Sequence, residues 1–153
     1  MLRMSKLTDY GTMVLAQLAA NDGALCTAGQ VADATHLGQP TVSKLLKALV
    51  RAGLVVSTRG AQGGYALARP ADSISAAEII DALEGPVAIT ECSSGNGGCS
   101  LESFCRVGMA WQRINQSIRI ALDGVSLKDL QDRREPLPPP NLRAGLHTIA
   151  AGR

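Results

Sequence analysis

Cys92, Cys99 and Cys105 fall within fourteen residues at the spacing C-x6-C-x5-C, with serine, glycine and asparagine filling most of the intervals. Small residues let a backbone wrap closely around an inorganic centre, and thiolates are the ligands that soft centres prefer. Structural zinc usually takes four tetrahedral ligands, two of them on a short C-x2-4-C knuckle, and this segment has none. An iron-sulfur cluster fits the three thiolates better than zinc or three unligated thiols, with 2Fe-2S favoured over 4Fe-4S. The spacing leaves the fourth ligand open among His36, His147 and Asp9. Cys26, in the apolar run Ala24-Leu25-Cys26, reads as a packed thiol. No C-x-x-C pair and no histidine beside a clustered cysteine supports a thiol enzyme.

The elements that must position this segment come from periodicity. From Leu7, the residues Tyr10, Gly11, Val14, Leu15 and Leu18 keep helical spacing up to Asn21–Gly23. Thr27 and Gln30 form a capping-box pair that opens a short second helix, closed by 36–38. Pro40 starts a third helix whose apolar stripe is Val42, Leu45, Leu46, Leu49 and Val50, and Gly53 stops it. The period then falls to two at Leu54, Val56 and Thr58, turns through 60–64, and returns at Tyr65 and Leu67. Ser75 and Glu78 cap a fourth helix that ends at Gly85-Pro86. Trp111, Ile114, Ile118, Ala121 and Leu122 restore helical spacing in a long helix with no obvious local partner, and 126–130 adds one more turn.

Helix, short helix, turn, helix and glycine-tipped hairpin is the order of a winged helix-turn-helix, so the expected fold is mainly α with a two-stranded wing. In such a module the third helix enters the major groove, roughly 12 Å wide, and the wing reaches the adjacent backbone or minor groove. The apolar stripe leaves Thr41, Ser43, Lys44, Lys47 and Arg51 pointing outward, and the wing presents Arg59 with Gly60 and Gly63. Lys44, Lys47 and Arg51 suit phosphate contact, whereas Thr41, Ser43 and Arg59 suit the sensing of bases or groove width. Charge agrees with this placement. Residues 1–70 carry seven Lys/Arg against three acids, a local +4, while the remainder carries eight against ten, a local −2. Double-stranded DNA is therefore the expected partner.

The chain of 153 residues suits one domain of ordinary size. It divides into a DNA-binding region over 1–85, a cysteine segment over 86–106, a dimerisation-helix region over 107–131 and a proline-rich tail without packed structure over 132–153. No apolar stretch reaches the roughly 20 residues of a bilayer span, and the first residues lack the apolar core of a secretory signal. The expectation is a cytoplasmic protein with no membrane partner.

Several segments together resemble the Rrf2 family of winged-helix transcription factors, which includes the iron-sulfur regulators of IscR and NsrR type. They are Lys6 to Gly11 (KLTDYG), the wing Ser57 to Tyr65 (STRGAQGGY), Ile74 to Ile79 with Leu83-Glu84-Gly85, and the three-cysteine segment. The resemblance covers about residues 1–130, and TVSKLLK at 41–47 with WQRIN at 111–115 lies closest to the branch that regulates SUF-type cluster assembly. It implies a homodimer joined by the long C-terminal helix, with Cys92, Cys99 and Cys105 holding a cluster whose state alters DNA binding. IscR-like members carry a histidine ligand three residues after the last cysteine, where this chain has Gly108. NsrR-like members take an aspartate from the partner's first helix, and Asp9 matches that position. Ser43 stands where IscR has an acidic base-sensing residue, so the resemblance does not carry the operator over.

Overall fold

In the computed structural model, residues 4–90 and 107–132 are described. The cysteines at 92, 99 and 105, His147 and the expected tail beyond 132 lie outside them. The order is α1 (Lys6–Ala20), α2 (Ala28–Thr35), α3 (Gln39–Arg51), β1 (Val55–Thr58), β2 (Gly64–Leu67), a 3-10 turn (Ala71–Ser73), α4 (Ala76–Glu84), α5 (Gly108–Asp123) and α6 (Leu127–Gln131).

Local chemistry sets the helix starts. Ser5 Oγ accepts from the Leu7 N–H at 3.2 Å at the head of α1. The capping boxes read from the sequence form at both α2 and α4: Thr27 pairs reciprocally with Gln30, and Ser75 with Glu78. A third, Ser126 with Asp129, starts α6. The core is drawn from one stripe of each helix: Val14, Leu15 and Leu18 of α1, Val31 of α2, Val42, Leu45, Leu46 and Leu49 of α3, and Ile79 of α4. Each fully buried Leu, Ile or Val contributes about 1.5–3 kcal/mol. Gly11 lies where α1 meets α4, and a Cβ there would collide with Leu83. A mid-helix glycine costs about 1 kcal/mol against alanine, offset here by the close approach of the two helices.

β1 and β2 form an antiparallel pair in the register Val55↔Leu67, Val56↔Ala66, Ser57↔Tyr65 and Thr58↔Gly64. The hairpin is where the sequence expects it, and Tyr65 and Leu67 of β2 pack against the core as read, but on β1 the inward residue is Val55 rather than Val56. The register gives the reason: residues directly opposite in the ladder share a face, so Val55 lies with Leu67, and Val56 lies with Ala66 on the other face. Cys26 and Tyr65 exchange backbone hydrogen bonds of 2.9 and 2.8 Å, and a Cβ on Gly64 would lie 2.8 Å from the Cys26 carbonyl oxygen, so only glycine fits at that position of β2.

The segment after α5 does more than add a turn. Leu127 is wholly buried in the core formed by α1–α4. Its N–H donates to the Ile74 carbonyl at 2.8 Å, the Ala76 N–H donates to the Val125 carbonyl at 2.8 Å, and Gln131 Nε2 donates to the Ala16 carbonyl at 3.0 Å. The far end of α5 is thereby stapled to the winged-helix body.

Candidate nucleic-acid interface

The turn between α2 and α3 is closed by His36 in left-handed geometry (φ 56°), with the Leu37 N–H donating to the Ala32 carbonyl at 3.2 Å. Gly38 caps α3 and Pro40 sits in its first turn, where a missing N–H leaves no helical bond unmade. Val42, Leu45, Leu46 and Leu49 are buried; Lys44, Lys47 and Arg51 are exposed, whereas Thr41 and Ser43 are half-buried at the edges of the outward face. Pro40 is exposed too and continues the line of Lys44, Lys47 and Arg51 toward the helix start. The sequence reading treats Pro40 only as a helix-starting residue; its i, i+4, i+7 spacing to Lys44 and Lys47 is the signal that places it on the outward face.

In the wing, the Gly63 N–H donates to the Gly60 carbonyl at 3.0 Å, and a Cβ on Gly63 would run into the Thr58 backbone carbonyl. Gly60 has φ +113°, a conformation that L side chains rarely adopt. The two glycines thus shape a tight tip that holds Arg59 exposed. Lys44, Lys47, Arg51 and Arg59 have no ion pair among the described residues. Arg69 differs: it meets Glu78 at 2.5 Å and donates to the Ser73 carbonyl at 2.6 Å. It belongs to the local basic excess in the sequence, yet its charge is engaged in joining the wing's exit to α4. Burial pushes the Glu78 carboxyl up, but hydrogen bonds from Arg69 and Ser75 outweigh it and hold the group below its ordinary range.

The cysteine segment leaves the body after α4 and rejoins it at α5. On the leaving side, Glu84 Oε1 accepts from the Ser5 N–H and hydroxyl, each at 3.0 Å, and from the Thr8 hydroxyl. The Thr8 bond, with those of Ser5, keeps this carboxyl below its ordinary range. Asn115 of α5 donates from Nδ2 to the Val87 carbonyl at 2.9 Å and accepts from the Ile89 N–H at 3.3 Å, fastening the start of the segment to the helix. One turn on, Arg119 meets Asp81 of α4 at 2.6 Å, which raises the guanidinium pKa above its ordinary value. The entry to the cysteine segment, α4 and α5 are thus held in one frame.

Asp9 is exposed in the first turn of α1, on the rim of an apolar groove of about 460 Å³ between α1, α4 and the end of α5. Its carboxylate makes no hydrogen bond or ion pair among the described residues. The described residues of one protomer bring no three His, Cys, Asp or Glu together in a metal-binding group. Cys26 is buried with its thiol directed at the Ala24 carbonyl, as the packed-thiol reading expects. The first half of α5 leaves its apolar residues open: Val107, Met109, Trp111 and Ile114 are all exposed, Met109 to 77%. No helix among the described residues is long and apolar enough to cross a membrane.

Comparison with known proteins follows this geometry. A family model described as "Rrf2: Iron-dependent Transcriptional regulator" matches residues 4–133. The chain belongs to the Rrf2 family. Among solved structures, it is similar to CymR (YrzC), the global cysteine regulator of B. subtilis, with 31% identity over 88% of this chain and 100% of that chain and a TM-score of 0.66. It is also similar to T. potens IscR, with 29% identity, coverage of 90% and 94%, and a TM-score of 0.62. Staphylococcus aureus CymR shares 32% identity over 86% of this chain and 100% of that chain, with a TM-score of 0.60. The winged-helix fold and the role of an Rrf2-family transcriptional regulator follow. Membership explains why the helix order, wing and long arm occur together, and the family's members are regulators rather than enzymes.

Proposed function

We propose that this Rrf2-family protein is a cytoplasmic repressor that senses iron-sulfur status and controls genes of cluster assembly, in the manner of SUF-type regulators. The observation that supports the reading is the three-thiolate segment Cys92–Cys105, entered from a stretch fastened at two points before it, Glu84 to α1 and Val87–Ile89 to Asn115. Family likeness alone does not choose the signal, since relatives of similar identity include a cysteine regulator and an IscR. The cysteines support the iron-sulfur reading: three soft donors, with a carboxylate at Asp9 that has no partner among the described residues, are a donor set of the kind that holds a cluster.

In this reading Cys92, Cys99 and Cys105 hold the cluster, 2Fe-2S favoured over 4Fe-4S, and Asp9 from the partner protomer supplies the fourth ligand. The bound cluster supplies a redox- and ligand-sensitive centre. The chain's own residues transmit its occupancy. Asn115 and Arg119 tie the segment and α4 to α5, and Leu127 ties α5 to the core beneath α3. The exposed apolar face of α5, around Trp111 and Ile114, joins two copies into a homodimer. Fixing that pair sets the separation of the two α3 helices on one face of the duplex, where successive major grooves are roughly 34 Å apart. Thr41, Ser43, Lys44, Lys47 and Arg51 of α3 and Arg59, Gly60 and Gly63 of the wing meet the DNA. Repression by the loaded form gives direct feedback, because abundant clusters would then shut down their own assembly.

Anaerobic purification tests the reading, with visible absorption, iron, sulfide and zinc analysis, and DNA mobility shift on one preparation. A coloured protein with iron and sulfide, and DNA binding that changes when they are removed, is expected. A colourless protein with stoichiometric zinc identifies a structural-zinc DNA binder instead. A second reading keeps the cluster and makes nitric oxide the signal; the match of Asp9 to the NsrR-type ligand position favours it. Titration with nitric oxide that leaves DNA affinity unchanged removes it.

A further inference from the structure

The outward face of α3 has a centre and two edges, and they carry different chemistry. Pro40, Lys44, Lys47 and Arg51 follow i, i+4, i+7 and i+11 and are all exposed, directly opposite the buried Val42, Leu45, Leu46 and Leu49. Thr41 and Ser43 sit on either side of that line and are half-buried. An α-helix with its side chains is about 10–12 Å across and nearly fills a major groove of roughly 12 Å. The central line of its outward face therefore lies over the groove floor, where base edges are. Lys44 and Lys47 are separated by about 4.5 Å along the helix axis, less than one turn, so both side chains leave that line close together. Neither ammonium is held by an ion pair among the described residues, so both can extend to the floor. Lysine there pairs with the O6 and N7 acceptors of guanine, and an apolar ring at Pro40 suits a thymine methyl.

We propose that Lys44 and Lys47 are base-reading residues of α3, each selecting a guanine at neighbouring positions of the operator half-site. This inference rests on the DNA-binding reading above and moves the two lysines out of the phosphate role expected from side-chain type alone. Arg51, at the end of the helix, keeps its phosphate role.

The test is selection of binding sites from a duplex pool with a randomised centre, using the full-length chain prepared anaerobically, followed by affinity measurements on the selected and on a scrambled duplex. Lys44→Ala and Lys47→Ala are each expected to erase one guanine preference and weaken the selected site about tenfold, with a much smaller change on the scrambled duplex. Lys44→Arg is expected to keep the guanine, and Lys44→Gln to shift that position toward adenine. Arg51→Ala weakens both duplexes equally. An unchanged consensus, with equal weakening on both duplexes, in the two lysine-to-alanine variants overturns the inference while leaving the DNA-binding reading standing. A wild-type chain that enriches no duplex, loaded or emptied, overturns that reading as well.

Discussion

α1 and α5 are amphipathic helices of fifteen and sixteen residues, and they dispose of their apolar faces in opposite ways. The stripe of α1 is sealed within the protomer: Val14 and Leu15 are fully buried and Gly11 lets α4 approach closely. α5 buries little of its first half, where Trp111 and Ile114 face outward, and is anchored instead through polar groups, Asn115 and Arg119, and through the α6 staple behind it. The winged-helix body is therefore closed by its own helices, whereas α5, the arm of the molecule, leaves an apolar face exposed among the described residues. In the proposed homodimer, the way two copies sit together can change without disturbing the core that carries α3.

The sharpest contrast comes from truncating the core. Leu46→Ala removes a wholly buried side chain from α3 and is expected to cost about 2–5 kcal/mol in denaturant unfolding. The matching change on the arm acts on assembly. Trp111→Ala combined with Ile114→Asp should raise the dimer dissociation constant by about 30-fold or more, corresponding to ~2 kcal/mol, while helical circular dichroism stays the same. Sedimentation at several concentrations measures this, and a wild-type chain that is monomeric throughout breaks the comparison.

Arg59→Ala addresses the DNA-facing surface. Its side chain is exposed at the wing tip and no ion pair among the described residues depends on it. DNA affinity should fall about tenfold, ~1.4 kcal/mol, with thermal stability unchanged. The smallest effect belongs to Glu84. Hydrogen bonds from Thr8 and then Ser5 lower its folded-state pKa, so its stabilisation is present above the ordinary glutamate value and lost as pH falls through the lowered one. Glu84→Gln should lower the melting temperature slightly at neutral pH, with the gap to the wild type closing as pH falls below the ordinary glutamate value.

Much of this architecture was legible because it is written locally. The Thr27–Gln30 and Ser75–Glu78 caps, the α3 stripe and the glycines of the wing each declare themselves within a few residues. The inward face of β1 was not legible, because it depends on the register that sets Val55 rather than Val56 opposite Leu67. Leu127 was hidden for the same reason: five residues of α6 have too short a period to reveal a place in a distant core. The engagement of Arg69 by Glu78 likewise escapes a count of charges. At the candidate site, the exposed residues of α3 and the wing were read correctly as outward, but the half-burial of Thr41 and Ser43 needed the structure. The fastening of the stretch before the cysteines needed it too, since Asn115 acts on backbone groups that any sequence would supply.

The central claim is that occupancy of the three thiolates governs the grip of α3 and the wing on DNA. Its most direct test compares duplex affinity of the anaerobic protein before and after cluster removal, beside the Cys92→Ser, Cys99→Ser, Cys105→Ser triple variant. The account predicts that the loaded protein binds at least about tenfold tighter, ~1.4 kcal/mol, and that the triple variant stays at the emptied value. Equal affinity in all three preparations contradicts it.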